Sequence, residues 1–266
     1  MNRAPALPVG WITALLMAGC VVYFLAMTLH GVDGLDPSAA QALAWGANFA
    51  PLTLTGDRWR LLSSVFMHLG LLHLLVNLYS LYVLGRFAEF CYGRLAFLLL
   101  FLLGGLAASL ASVQANLPAA LAMLAGETVY PQVAAGASGA IFALAGALLV
   151  NARWPEPSQT LRLRFRPLLV VVLLNLALGS LVSGIDHAAH LGGVLAGLVL
   201  GGVYAASGRR AGSSVLLLRV AGLLAFLGLL VLWLGGLEHQ AAALHWLRPA
   251  LLAEFAQSAP GFSGLR

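Results

Sequence analysis

Five polar side chains in an otherwise apolar sequence have the types and spacing for acyl transfer: His68, His73, Asn77, Ser138 and His190. A serine hydroxyl becomes a useful nucleophile when a base takes its proton, and a neutral imidazole suits that task near physiological pH. Ser138 lies in Gly136-Ala137-Ser138-Gly139, which reads as a loop-to-helix junction. There the first backbone N–H groups lack partners and the helix dipole favours negative charge. An oxyanion formed by attack of Ser138 would meet those donors. His73 and Asn77 are spaced i, i+4, so one helix face can aim two donors at one point. His190 is the residue that would act as general base.

Each of these residues also has a purely structural reading. Ser138 is a possible helix N-cap, His190 a packing histidine and His68 an interfacial residue. His73, Asn77 and Asn175 suit interhelical hydrogen bonding. Asp186 and His187 read as solvated groups at a span mouth. Only the joint pattern favours chemistry, and that depends on the elements that carry it.

Those elements are membrane spans. The chain has 266 residues, 61% hydrophobic and 9% charged, where soluble domains carry about 25% charged residues. Apolar runs read as seven spans, at roughly Trp11–His30, Met67–Phe87, Leu95–Gln114, Gly136–Asn151, Leu168–Ser183, Asp186–Ala206 and Val215–Leu234. The fourth and fifth are short for a bilayer core. The first is longer than a signal-peptide core and no clear cleavage site follows it, so it reads as a retained helix. All 14 basic residues are Arg. With the N-terminus cytoplasmic, Arg3, Arg86, Arg94, Arg153, Arg162, Arg164, Arg166, Arg209, Arg210 and Arg219 fall inside, and Arg58, Arg60, Arg248 and Arg266 outside. The net charge of +5 therefore reflects topology and does not imply a nucleic-acid partner.

Spans two, four and six then run from outside to inside, and all five polar residues fall early in them. At about 1.5 Å per residue, His190 lies roughly 6 Å below the start of its helix. Gly139, Ala143 and Gly146 form a small-residue stripe on span four, and Gly193 and Gly197 another on span six, in register with His190. Such stripes let backbones approach closely in lipid. A direct Ser138–His190 contact, within about 5 Å, is the expectation.

Elsewhere, residues 31–66 form a long outer loop with interfacial character, and 116–135 a second. Residues 153–167 form an Arg- and Pro-rich inner loop. Leu244, Leu247, Leu251 and Phe255 share one face of a short amphipathic surface helix, followed by a flexible tail. Cys20 and Cys91 lie at different depths and are not expected to pair. No His-Glu-x-x-His zinc motif, aspartate pair within spans or G-x-S-x-G elbow is present. Acidic residues avoid the span centres, and no internal repeat stands out, which argues against a transporter.

At these residues the sequence resembles the rhomboid family of intramembrane serine proteases. The resemblance covers Trp59 to about Gly197. It runs through Trp59-Arg60, His68, His73 with Asn77, Gly85-Arg86-Phe87-Ala88-Glu89 (GxxxE), Gly136-Ala137-Ser138-Gly139 (GxSG) and Ala189-His190-Leu191-Gly192-Gly193 extended to Gly197 (AHxxGxxxG). It implies an all-α polytopic membrane protein, a helical bundle of six core transmembrane helices plus a C-terminal seventh. It divides the chain into a first helix and start of the outer loop at 1–55, a catalytic core at 56–207, and the seventh helix with its tail at 208–266.

The resemblance further implies a Ser138/His190 dyad without an acidic third member. His73, Asn77 and the Ser138 backbone N–H would form the oxyanion hole, with Gly136 beside them and Phe142 packing on the catalytic histidine. Trp59, Arg60, His68, Glu89, Gly139, Gly193 and Gly197 would be structural. No cofactor or metal is expected. Substrates would be single-pass transmembrane proteins cut near the outer face of the bilayer. Short loops and all-Arg usage suit a bacterial inner membrane, and the oligomeric state stays open. A catalytically inactive binding protein of the same build is the alternative, and a transporter a more distant one.

Overall fold

Long runs of Leu, Val, Ala and Phe fold as helices in lipid because the bilayer offers the backbone no other hydrogen-bond partners. The computed structural model describes residues 9–155, 159, 162–180, 184–207 and 214–258, without the side chains of 178, 180 and 254–258. Arg3, Arg209, Arg210 and Arg266 lie outside the described residues, as does the Phe255 side chain. The membrane helices are α1 (Trp11–Leu29), α5 (Leu71–Tyr92), α6 (Arg94–Leu124), α7 (Ser138–Arg153), α8 (Phe165–Ser180), α9 (His187–Ser207) and α10 (Ser214–Gln240). Five of them are long and apolar enough to cross a membrane, and α7 and α8 are shorter apolar helices. The first loop carries α2 (Ala39–Ala44), α3 (Ala50–Thr53) and α4 (Arg60–Phe66), and the C-terminal part a 3₁₀ turn (Ala242–Trp246) and α11 (Arg248–Ser258).

Short α7 is the centre of the bundle. Twelve of its 16 residues are buried, and α5, α6, α8 and α9 pack around it. At about 24 Å it is shorter than a bilayer core of about 30 Å, and its protein jacket takes the place of lipid. By contrast, α10 buries only Phe226, Leu230 and Leu237 among its described residues and lies against α9 and α6. Leu72, Val76 and Tyr79 on α5, and Leu216, Leu224 and Leu232 on α10, are exposed. An apolar belt of that extent marks a membrane-facing surface.

Several boundaries differ from the sequence expectation. The second membrane helix starts at Leu71, so His68 lies in the connector before it and not within the span. Gly70 breaks the chain there at φ +96, and a side chain at that position would meet the Leu35 carbonyl. Helix α6 runs on to Leu124 and takes in part of the expected second loop, with Pro118 inside it. Leu117 and Ala120 are buried in the main core, so packing outweighs the proline. Helix α10 extends to Gln240.

The C-terminal helix also departs from expectation. Part of its apolar face is covered by protein: Leu251 packs with Val32, Leu43, Phe49 and Leu52 of the first loop, and Leu247 joins them. Leu244 is fully buried in the main core. Cys20 and Cys91 are both buried and free.

Helix α1 docks on α5 through the GxxxE residues. Glu89 Oε1 accepts the Ile12 N–H at 3.2 Å, and Oε2 accepts the Thr13 N–H at 2.9 Å and its hydroxyl at 2.7 Å. A carboxylate thus caps a helix N-terminus supplied by a distant segment. Gly85, one turn earlier, gives room, since a Cβ there would lie 2.9 Å from Thr13 Cγ2.

Candidate active site

Ser138 is the first residue of α7, with Ala137 at the N-cap and no side-chain cap. The N-cap reading of Ser138 therefore fails, because its hydroxyl is turned elsewhere. Ser138 Oγ lies 2.8 Å from His190 Nε2, inside the expected 5 Å. His190 is buried in the first turn of α9, and the Phe142 ring lies against it with centroids 4.4 Å apart and an interplanar angle of 32°. Phe142 is one turn beyond Ser138, so the same helix supplies the hydroxyl and the ring that fixes its partner.

Backbone proximity of α7 and α9 makes that contact possible. A Cβ on Gly193 would collide with the Gly139 carbonyl, one on Gly197 with the Ala143 carbonyl, and one on Gly146 with the Val194 carbonyl. The seam extends to α6, where a Cβ on Gly139 would lie 2.5 Å from the Ala108 methyl. These are the two stripes that the sequence suggested, and the contacts are mutual. Without side chains in between, the two helices approach closely enough for a serine and an imidazole to share a hydrogen bond.

His73 and Asn77 face the same point from α5. The Leu69 N–H donates to His73 Nδ1 at 3.3 Å, so a neutral His73 carries its proton on Nε2. That Nε2 looks onto Gly136, where a Cβ would lie 2.7 Å away, with Asn77 Nδ2 at 3.9 Å. Gly136 also has φ +123, so it combines a left-handed backbone with a filled side-chain position. Asn77 Nδ2 spends one N–H on the His73 carbonyl at 2.9 Å and has a second to offer. The first N–H groups of α7, which begins at Ser138, have no intrahelical acceptor and follow directly on Gly136.

His68 has a physical role that sequence reasoning did not supply. It is fully buried. Its Nδ1 lies 3.1 Å from the Phe66 carbonyl, and its Nε2 lies 3.5 Å from the Ala137 N–H. With the Gly136 N–H donating to the Ser64 carbonyl at 2.8 Å, two bonds fix the loop immediately before Ser138. The His68 ring also packs edge-on against His73. The segment upstream is tied to the first loop by the paired Asn48 and Ala134 backbones, at 2.8 and 2.9 Å.

Trp59 and Arg60 stand away from these residues, in the first loop. Arg60 is 2% exposed; its Nη1 donates to the Leu43 and Ala47 carbonyls at 2.7 and 3.1 Å, and its Nε to Asp57 at 3.0 Å. Burial pulls its pKa below the ordinary guanidinium value, and Asp57 opposes that. Trp59 packs its ring over Gly46 and under the Arg60 guanidinium. Asn175 on α8 donates back to its own helix, to the Val171 carbonyl at 2.8 Å, and to no other helix among the described residues. Asp186, expected to be solvated, is instead the cap of α9: its Oδ1 accepts the Ala189 N–H at 2.9 Å. Its spacing three residues before Ala189 is the available sequence signal for that cap.

The Rhomboid domain family matches residues 55–207. The chain is 33% identical over 218 residues to rhomboid protease GluP of Bacillus subtilis, covering 80% of this chain and 39% of that protein. It is 30% identical over 200 residues to rhomboid protease AarA of Providencia stuartii, covering 71% of this chain and 70% of that one. RHOMBOID-like protein 5 of Arabidopsis thaliana is 36% identical over 169 residues, which span 63% of this chain and 50% of that protein. The chain thus spans about two fifths of GluP and half of the plant relative. A matched domain over more than half of the chain, on a bundle of apolar helices, makes this an integral multi-pass membrane protein that belongs to the rhomboid family of intramembrane proteases.

Proposed function

We propose that the chain is a serine endopeptidase that cleaves transmembrane-helix substrates within the bilayer, near its outer face, using Ser138 as nucleophile and His190 as base. The 2.8 Å contact between Ser138 Oγ and His190 Nε2 carries this reading. A locally unwound stretch of a single-pass substrate helix enters beside α7. His190 Nε2 takes the Ser138 proton as Oγ attacks the scissile carbonyl carbon. Negative charge develops on the carbonyl oxygen, where His73 Nε2–H, Asn77 Nδ2–H and the Ser138 backbone N–H stabilise it. The imidazolium returns its proton to the departing amide nitrogen, leaving an acyl-enzyme on Oγ. A water, deprotonated by His190, attacks that ester and releases the second product.

Placement of the site fits the need for water. Ser138, His190 and His73 all lie in the first turns of their helices, at the end of the bundle that carries the polar first loop. The Arg distribution supports placing that end at the outer face with a cytoplasmic N-terminus, and short loops and all-Arg usage suit a bacterial inner membrane.

The test is purified protein in detergent with a model transmembrane substrate. Ser138→Ala and His190→Ala lower cleavage at least about 10³-fold with an unchanged thermal midpoint. Equal cleavage by all three proteins overturns the assignment. His190 acts only when neutral, so kcat falls with unit slope as pH drops through the range in which that imidazole takes up its proton. A rate that stays flat across several pH units on the acid side overturns the base assignment.

A further inference from the structure

A base in a dyad has a second nitrogen, and its protonation decides whether the first can accept a proton. His190 Nε2 can take the Ser138 proton only if, in the neutral ring, Nδ1 carries the hydrogen. Nδ1 of His190 is buried without a hydrogen-bond partner, in a residue 8% exposed. Asp186 Oδ2 is likewise buried without a partner. These two atoms belong to residues four apart at the start of α9, Asp186 as its cap and His190 in its first turn: the His190 N–H donates to the Asp186 carbonyl at 3.1 Å. Asp186 Oδ1 is committed to the Ala189 N–H at 2.9 Å, which anchors the carboxylate and leaves Oδ2 as its remaining acceptor.

We propose that Asp186 is a positioning residue for His190, its Oδ2 accepting the Nδ1 hydrogen directly or through one water and so holding the imidazole in the tautomer that leaves Nε2 bare toward Ser138. The inference rests on the serine-protease reading above and adds a third member to the expected dyad. Two unmatched polar atoms, a carboxylate oxygen and a ring nitrogen, satisfy each other in only one tautomer. Phe142 restrains the ring plane, and Asp186 then selects which nitrogen is protonated. The other titratable groups whose charge reaches His190 are His187 on its own helix and His73 from α5. Both are cationic or neutral, so neither can accept from Nδ1–H as a carboxylate does. From α7, Ser138 and Phe142 face the ring, and α6, α8 and α10 set no charged group against it among the described residues.

Two substitutions separate this role from capping. Asp186→Ser keeps a cap acceptor for the Ala189 N–H and removes the second oxygen. Asp186→Asn also keeps the cap, but with Oδ1 so used its NH₂ faces Nδ1 and favours the wrong tautomer. In the full-length protein with a transmembrane substrate, kcat falls about tenfold for Asp186→Ser and about 100-fold or more for Asp186→Asn, with KM within twofold. Thermal midpoints stay near wild type. The acid limb of the kcat profile moves to lower pH in both, because a negative charge that favours imidazolium is gone. Equal activity of the two variants and wild type, or equal losses that track lowered thermal midpoints, overturns the proposal.

A readout independent of cleavage is ¹⁵N NMR of histidine-labelled protein, with His190 assigned by its loss in His190→Ala. The expected result is Nδ1-protonated His190 in wild type and Nε2-protonated His190 in Asp186→Asn. An Nε2-protonated wild-type ring overturns the proposal whatever the activity. Wild-type protein that shows the expected tautomer and cleaves nothing overturns the protease reading and leaves the Asp186–His190 coupling standing.

Discussion

The seam between α7 and α9 and the cap formed by the first loop with α11 hold their parts together by opposite means. The seam contains glycines against backbone carbonyls, with Ser138–His190 as its polar contact at the mouth. The cap is a charged network. Asp57 binds Arg60 at 3.0 Å and Arg248 at 2.6 Å, Arg248 also donates to the Thr55 carbonyl at 3.2 Å, and Arg58 pairs with Glu238 of α10 at 2.6 Å. Lipid gives apolar helices no hydrophobic reason to associate, so the seam depends on steric fit and dispersion. The cap lies where the chain is irregular and many carbonyls need donors, and arginines supply them. One region is sensitive to a single methyl group, the other to a single charge.

Gly197→Ala tests the seam hardest. In an ordinary helix that change stabilises by about 0.5–1 kcal/mol. Here the new methyl meets the Ala143 carbonyl and its neighbouring backbone, so the sign reverses to a loss of about 2–3 kcal/mol. Cleavage falls about 100-fold, since displacing one catalytic partner by about 1 Å is enough for that. Thermal denaturation and kcat of the variant decide the matter, and a stabilised, active Gly197→Ala would show that the seam is not the constraint.

Arg60→Met tests the cap. It removes three hydrogen bonds and leaves the Leu43 and Ala47 carbonyls without those donors. Asp57 keeps Arg248, so the expected destabilisation is about 2–3 kcal/mol, at the low end for a broken buried pair. Activity at permissive temperature changes less than about tenfold, because Arg60 touches none of the groups around Ser138. A loss in kcat as large as that of Gly197→Ala would erase the distinction between the two regions. Arg58→Ala is the mildest change. Its side chain is 64% exposed, and exposed pairs contribute little. A thermal midpoint indistinguishable from wild type is expected, and a clear drop would mean that the cap acts as one cooperative network.

Much of this molecule was legible before any fold was known, for definable reasons. The spans follow from apolar runs, and the stripes of Gly139, Gly146, Gly193 and Gly197 read directly as a close helix–helix contact. Chemistry-bearing residues in a span are few, so His73, Asn77 and His190 stood out. Legibility failed where a role depends on which backbone group lies opposite. His68 reads as an interfacial residue, yet it accepts from the Ala137 N–H. Nothing local marks Asp57 or Arg248 as partners 191 residues apart. The apolar face of α11 has the pattern of a surface helix, and periodicity cannot say whether lipid or a loop covers it.

By itself, then, the sequence determined the solvent, the number and order of the apolar helices, and the small set of side chains able to do chemistry. Those are consequences of composition and period, which are local. The tertiary structure decided which of these side chains meet. It set Ser138 at 2.8 Å from His190, turned His73 Nε2 toward Gly136 and left His190 Nδ1 and Asp186 Oδ2 facing a shared need. The physical reason is distance. Hydrogen bonds form or fail over a few tenths of an ångström, and that scale is set by how closely α5, α7 and α9 pack.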